Sequence, residues 1–359
     1  MNRLRRRTGW LLRPLLTLAV ASAAGFLLLA VGLWLLGYDP VGGFRALWNG
    51  AFGSWYALTS GTLLRSIPLI LLGLGFGLAF RGGALNIGME GQFLAGAIAA
   101  TWVGLQVGGL PAPLAIASVW LAALVAGALW IVVPVILKLR FGVLEVISTL
   151  LLNFVAEAMV SFMVQGPLQE AKRTYPQSDL IADAARLPTL GGSRLHLGFV
   201  VAIGLAVAGQ LLFDRTLWGF RLKALGAGPR AAWMTGRIPA GRLVAIVLLC
   251  SGALAGLGGG VGVSGVTYAL FQNLSPGYGF TAIAVALLAR GQPLAIIATG
   301  ILFGALDAGA GAMQRDAGIP AVAVNVVQAV IIITVLLADV MARRRRASTT
   351  YVGAEAGAT

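Results

Sequence analysis

Asn86, Glu90 and Gln92 lie within two helical turns of one another in the stretch RGGALNIGMEGQFLAG, residues 81–96, with five glycines interleaved. An amide, a carboxylate and a second amide at that spacing can line a polar pathway with hydrogen-bond donors and acceptors. The carboxylate can equally pair with an arginine such as Arg81 or Arg290 and lock two helices. The surrounding chain is mostly hydrocarbon, where a carboxylate costs about 2.5 to 3.5 kcal/mol on insertion scales, which marks a functional site by default. Gly82, Gly83, Gly88 and Gly91 weaken the helix there, and a broken helix is tolerated in lipid where its freed backbone lines a cavity or is buried in protein.

Two other constellations carry chemical potential. In NLSPGYGFTAIAVALLARGQP, residues 273–293, Asn273 and Ser275 offer polar groups, while Pro276, Gly277 and Gly279 interrupt the chain. In GAGPRAAWMTGR, Pro229 can open a short helix and Gly236 can close it. Ala231, Ala232 and Met234 then form a small apolar knob between Arg230 and Arg237, suited to a groove on a cytoplasmic partner or to an anionic lipid surface. Arg65, Glu145, Asp307 and Asp339 fall near the ends of apolar runs, where snorkelling or pairing accounts for them, whereas Glu157 is nearer mid-run.

Several chemistries are excluded by what is missing. Lys138, Lys172 and Lys223 are the only lysines and none follows a G-x-x-x-x-G-K-[ST] loop, so no nucleotide is hydrolysed here by a P-loop. One histidine, His196, rules out H-E-x-x-H and reads as an interfacial residue at the outer mouth of a span. No G-x-S-x-G elbow occurs. Cys250 stands alone, so there is no intrachain disulfide and no Cys/His metal cluster. No cofactor is expected in this chain, and it is not expected to be an enzyme.

The elements that must position these residues are membrane helices. The chain of 359 residues is 58% hydrophobic and 11% charged, against about a quarter charged for a soluble protein. We expect an all-α, polytopic membrane protein with about ten spans, at 15–37, 61–80, 84–105, 113–137, 143–164, 195–213, 243–268, 278–290, 293–312 and 319–341. The basic start and the first run resemble a signal peptide, but the run is too long for one and lacks an Ala-x-Ala site, so it reads as a retained span.

With the amino terminus inside, nineteen of the Lys and Arg fall on the inner side and six on the outer. That asymmetry expects an even number of spans and both termini in the cytoplasm. It also assigns the net charge of +14 to topology and a lipid bilayer rather than to nucleic acid. The organisation expected is a transmembrane region over 1–346, an outer loop at 165–194, a basic inner loop at 214–242 and a disordered tail at 347–359. One break follows span two and the other span seven, and those spans run in opposite directions, so spans two to five and seven to ten are candidates for an inverted repeat with binding at its interface. Glycines at four-residue spacing, such as Gly252, Gly256 and Gly260, allow close helix contact in lipid.

Three of these stretches resemble one family. RGGALNIGMEGQFLAGA, GAGPRAAWMTGRIPAGR and GYGFTAIAVALLARGQPLAIIATGILFGAL look like the signature, coupling loop and late transmembrane motif of membrane subunits of ABC importers of the branched-chain amino acid and simple-sugar type, closest to the nucleoside-importer permeases. The resemblance implies an ABC ATPase partner, a second permease subunit, an extracytoplasmic substrate-binding protein and a place in the cytoplasmic (inner) membrane. It implies ATPase contact by Pro229, Arg230, Ala231, Ala232, Met234 and Gly236, and makes Asn86, Glu90, Gln92, Asn273 and Ser275 pathway candidates. Nucleosides are the expected cargo, with a ribose-like sugar as the alternative. A stand-alone ion-coupled carrier, with Glu90 and Glu157 as proton sites, is the competing class.

Overall fold

The computed structural model describes residues 23–228, 240–330, 332–334 and 337. The described residues are helical apart from loops and two isolated bridges, with no sheet among them. In chain order the helices are α1 (Ala23–Leu35), α2 (Pro40–Phe52), α3 (Leu64–Arg81), α4 (Met89–Gly104), α5 (Ala112–Trp130), α6 (Val132–Phe141) and α7 (Glu145–Gln165). There follow α8 (Leu197–Arg215), α9 (Leu217–Ala227), α10 (Ala240–Gly262), α11 (Tyr278–Leu288), α12 (Pro293–Ala317) and α13 (322–330). Single π turns, Ala57–Leu63 and Val263–Thr267, lead into α3 and extend α10.

Six helical segments among the described residues are long and apolar enough to cross a membrane: Ala57–Arg81, Ala112–Phe141, Glu145–Gln165, Leu197–Arg215, Ala240–Thr267 and Pro293–Ala317. The span expected at 84–105 is helical only from Met89, because residues 82–88 form an irregular break. α11 is likewise shorter than a span.

Local sequence explains the ends. Asp39 accepts from the N–H groups of Val41 and Gly42, and Pro40 has no N–H to lose at the first turn of α2. Gly142, at φ +67°, ends α6 in the left-handed conformation and lets the chain reverse into α7.

The chain divides into two compact units, 54–305 and a smaller one made of 1–53 and 306–359. In the smaller unit α2 and the last turns of α12 touch through Gly50 and Gly309, with Leu47 packed on Gly309. In the larger unit α10 lies against α4 and α5 backbone to backbone: Gly96 faces Gly256, Gly259 faces Phe93 O, and Gly127 faces Gly252 and Gly256, none with room for a Cβ. This plate carries the two breaks, 82–88 and 268–277.

Candidate functional site

The first break is held from three sides. Glu145 pairs with Lys138 across the α6–α7 turn and accepts from Leu85 N (3.2 Å). Asn153 of α7 donates to Ile87 O (3.0 Å) and accepts from Gly91 N (2.8 Å). Asn86 and Gln92 form a reciprocal amide pair (2.8 and 3.0 Å), and Asn86 reaches Ser251 of α10 (2.9 Å) and takes Gly88 N (3.0 Å). Asn86, Gln92 and Asn153 are buried. Amide side chains suit this duty because each carries donor and acceptor and can satisfy two backbone groups at once.

The second break is held by the outer loop. Ser178 donates its N–H to Leu270 O (2.8 Å) and accepts Leu270 N through its hydroxyl (2.9 Å). Ile181 N reaches Tyr268 O (2.8 Å), and Leu187 N reaches Ser264 O (2.9 Å). Arg186 lies 5.1 Å over the Tyr268 ring. The loop is braced in turn: Gln177 and the N–H groups of Tyr175 and Thr174 hold the Glu170 carboxyl below the usual range. Residues 165–194 are thus a folded cover over 264–271, where the sequence reading has only a polar loop.

His196 differs from its interfacial expectation. It is fully buried, its Nδ1 accepts from Gly198 N at the start of α8, and its ring fills the space beside Gly265. Burial pushes the imidazole down to about 4, because charging it would leave a cation away from water.

Where the two breaks meet there is a cavity of ≈ 230 Å³ lined by Glu90, Leu94, Glu157, Val160, Ser161, Gln272, Asn273, Leu274 and Ser275. Ser275 Oγ accepts from Tyr278 N (3.0 Å) and Gly277 N (3.2 Å), capping α11 and leaving its proton for the neighbouring Glu90 carboxylate. Glu90 Oε2 also accepts from Gly279 N (2.6 Å). The carboxylate therefore lies at the amino ends of both α4 and α11, where backbone N–H groups and the helix dipoles favour negative charge. Its partners are these groups; Arg81 instead lies 4.8 Å over the Phe213 ring.

Of the five pathway candidates, Glu90, Asn273 and Ser275 line this cavity, while Asn86 and Gln92 are not among its lining residues. The segment holding Pro229, Arg230, Ala231, Ala232, Met234 and Gly236 lies outside the described residues. Glu157, marked in the sequence as a mid-run carboxylate and a proton site of the competing carrier reading, also joins the lining, together with Ser161 and Gln272, which the sequence does not single out; Gln272 donates to Ser161 Oγ (2.6 Å). The signal was present in α7, where Asn153, Glu157, Ser161 and Gln165 recur every fourth residue and so share a face over short distances. Among the described residues the lining has two carboxylates, two amides and two hydroxyls, and no Lys or Arg.

Comparison with known proteins places this geometry in context. A family model described as "Branched-chain amino acid transport system / permease component" matches residues 58–336. The guanosine ABC transporter permease protein NupP of Bacillus subtilis is 37% identical over 92% of this chain and 94% of its own length. The nucleoside ABC transporter permease protein NupB of Lactococcus lactis is 37% identical over 89% and 90%. The glucose ABC transporter permease protein TsgB13 of Haloferax volcanii is 36% identical over 92% and 88%. In each of the three organisms a second permease protein also matches, at 24% to 30% identity.

Proposed function

Because the chain belongs to the family of permease components of branched-chain amino acid type transport systems, we propose that it forms the translocation pathway of an ATP-driven ABC importer for nucleosides. Such chains are transport components rather than enzymes, and this one is a multi-pass membrane protein. Likeness to ABC transporter permease proteins supports this reading over a stand-alone ion-coupled carrier.

The observation that carries the nucleoside reading is the cavity's acceptor-rich lining without a cation. Such a surface suits a neutral cargo rich in hydroxyl and amino donors and repels phosphate or carboxylate. Two of the three relatives above are named for guanosine or nucleosides, which supports this reading, and the glucose name of the third supports a sugar as the alternative. The volume is slightly below the range of about 300–1,000 Å³ usual for small-molecule sites, so cargo passage requires the wall to open, as alternating access does.

On this reading Glu90, Asn273 and Ser275 contact cargo, and Asn86 and Gln92 act by bracing the wall. Pro229 to Gly236 dock the ATPase, both termini are cytoplasmic, and about ten spans, with an inverted repeat, complete the domain. An extracytoplasmic binding protein delivers cargo. The paired relatives support a second permease of related sequence beside this one.

The test is binding of a nucleoside and sugar panel to the cognate binding protein, followed by uptake into vesicles holding the whole complex. Nucleoside binding with ATP-dependent uptake is expected; binding of hexose alone would replace the substrate assignment. Ala232→Asp is expected to abolish uptake while leaving the protein in the membrane, and normal uptake would remove the docking role of that segment.

A further inference from the structure

Gly226, in the last turn of α9, packs on the carbonyl of Arg81 with no room for a Cβ. Gly83 faces the same turn: a Cβ there would stand 3.4 Å from Gly226 Cα and 3.6 Å from Leu225 O. Around this contact Leu222 and Leu225 of α9, Leu243 and Val247 of α10 and Phe213 of α8 share one buried cluster with Ala79 and Ala84. Lys223 of α9 adds an ion pair to Asp214 at the end of α8 (3.0 Å). Both helices that flank residues 229–239 are therefore fixed to the start of the first break.

From that anchor the chain runs to the cavity without a loose segment. Gly83 N and Ala84 N bond back to Phe80 O and Ala79 O, Leu85 N is taken by Glu145, Ile87 O by Asn153 and Gly88 N by Asn86. At its far end Glu90 holds Gly279 N, and Gly279 presses on the Glu90 backbone too closely to admit a Cβ. A segment braced by packed and hydrogen-bonded neighbours along its length passes a displacement on rather than absorbing it.

We infer that residues 82–90 are a transmission strut: movement of the ends of α9 and α10 shifts Glu90 and Gly279, and with them the 273–275 wall of the cavity. Gly226 is the positioning residue at the input, acting through the Arg81 backbone. This rests on the reading of 229–236 as the ATPase-docking segment.

The experiment uses the complete transporter in vesicles and reads ATP hydrolysis and cargo uptake together. Gly226→Ala is expected to keep hydrolysis near the wild-type rate and to lower cargo moved per ATP about tenfold. Gly204→Ala, where the new Cβ meets none of the described residues within 4 Å, is expected to leave that ratio unchanged. If Gly226→Ala does not assemble, Gly83→Ala decides: its Cβ makes only ordinary contacts, but φ of +75° strains the strut, and a fall of about threefold is expected. A wild-type ratio in whichever variant assembles overturns the strut. Absence of ATP-dependent uptake by the wild-type complex would instead overturn the importer reading beneath it.

Discussion

The two helix breaks each set an asparagine among chain-breaking residues, three glycines in 82–88 and Pro276–Gly277 in 268–277, yet they are held in opposite ways. Residues 82–88 are stitched by side chains of membrane helices, Glu145, Asn153 and Ser251, and their own Asn86 points back into that network. Residues 268–277 are stitched by the backbone of the outer loop, carry left-handed Tyr268, Asn273 and Gly277, and leave Asn273 and Ser275 facing a cavity. The first break is therefore a brace and the second a wall. Irregular backbone in a membrane protein needs partners for its polar groups, and where the partners come from decides which of the two it becomes.

Removing the brace should have the largest effect. Asn153→Ala leaves Ile87 O and Gly91 N without partners, at about 1–3 kcal/mol each, and thermal melting in detergent should register the steepest loss of the series. A melting point within about 2 °C of wild type would mean that α7 does not hold the first break. Acidification should weaken the support of the second break next, through His196 beneath the 263–267 turn. Its folded pKa, about 4, lies below the unfolded 6.5. Stability is thus complete above about pH 6.5 and is lost as pH falls towards 4, by about 3 kcal/mol in all. His196→Asn should flatten that profile, and an unchanged profile would place the titration elsewhere.

Smaller effects separate the clasp from the cavity. Glu90→Ala leaves Gly279 N in the first turn of α11 without its acceptor and should cost about 1–3 kcal/mol together with uptake. Glu90→Gln keeps one acceptor oxygen and should cost less, and a variant unchanged in both stability and transport would leave Glu90 neither a clasp nor a pathway residue. Glu157→Gln should move the melting point least, within about 0.5 kcal/mol, while altering uptake. Loss of stability there without change in uptake would transfer Glu157 from the wall to the brace.

Much of the larger unit was legible because hydrophobic runs declare membrane helices, and because a carboxylate among glycines stands out against hydrocarbon. Glu90 is legible for that reason. Its partner is not, since a Gly279 N–H carries no side-chain signal and lies 189 residues away. The same holds for the outer loop: bonds between Ser178, Ile181 and the Leu270 and Tyr268 carbonyls are backbone contacts that most residue types could make. Glu145 reads as a span-end residue, but its double engagement with Lys138 and Leu85 depends on the left-handed turn at Gly142. Asn153 carries no comparable signal, because one asparagine in a span is ordinary until its neighbours at four-residue spacing are taken with it.

The plate made by α4, α5 and α10 bears on how mutational tolerance should be interpreted. At Gly96, Gly127, Gly256 and Gly259 a single added methyl group collides with a neighbouring main chain, so a saturation scan scored by growth on imported cargo would rank these positions with the cavity residues. Their intolerance would report a steric limit on helix approach. Scoring protein abundance alongside growth would sort the two groups, with the glycine variants losing both signals and the cavity variants losing growth alone.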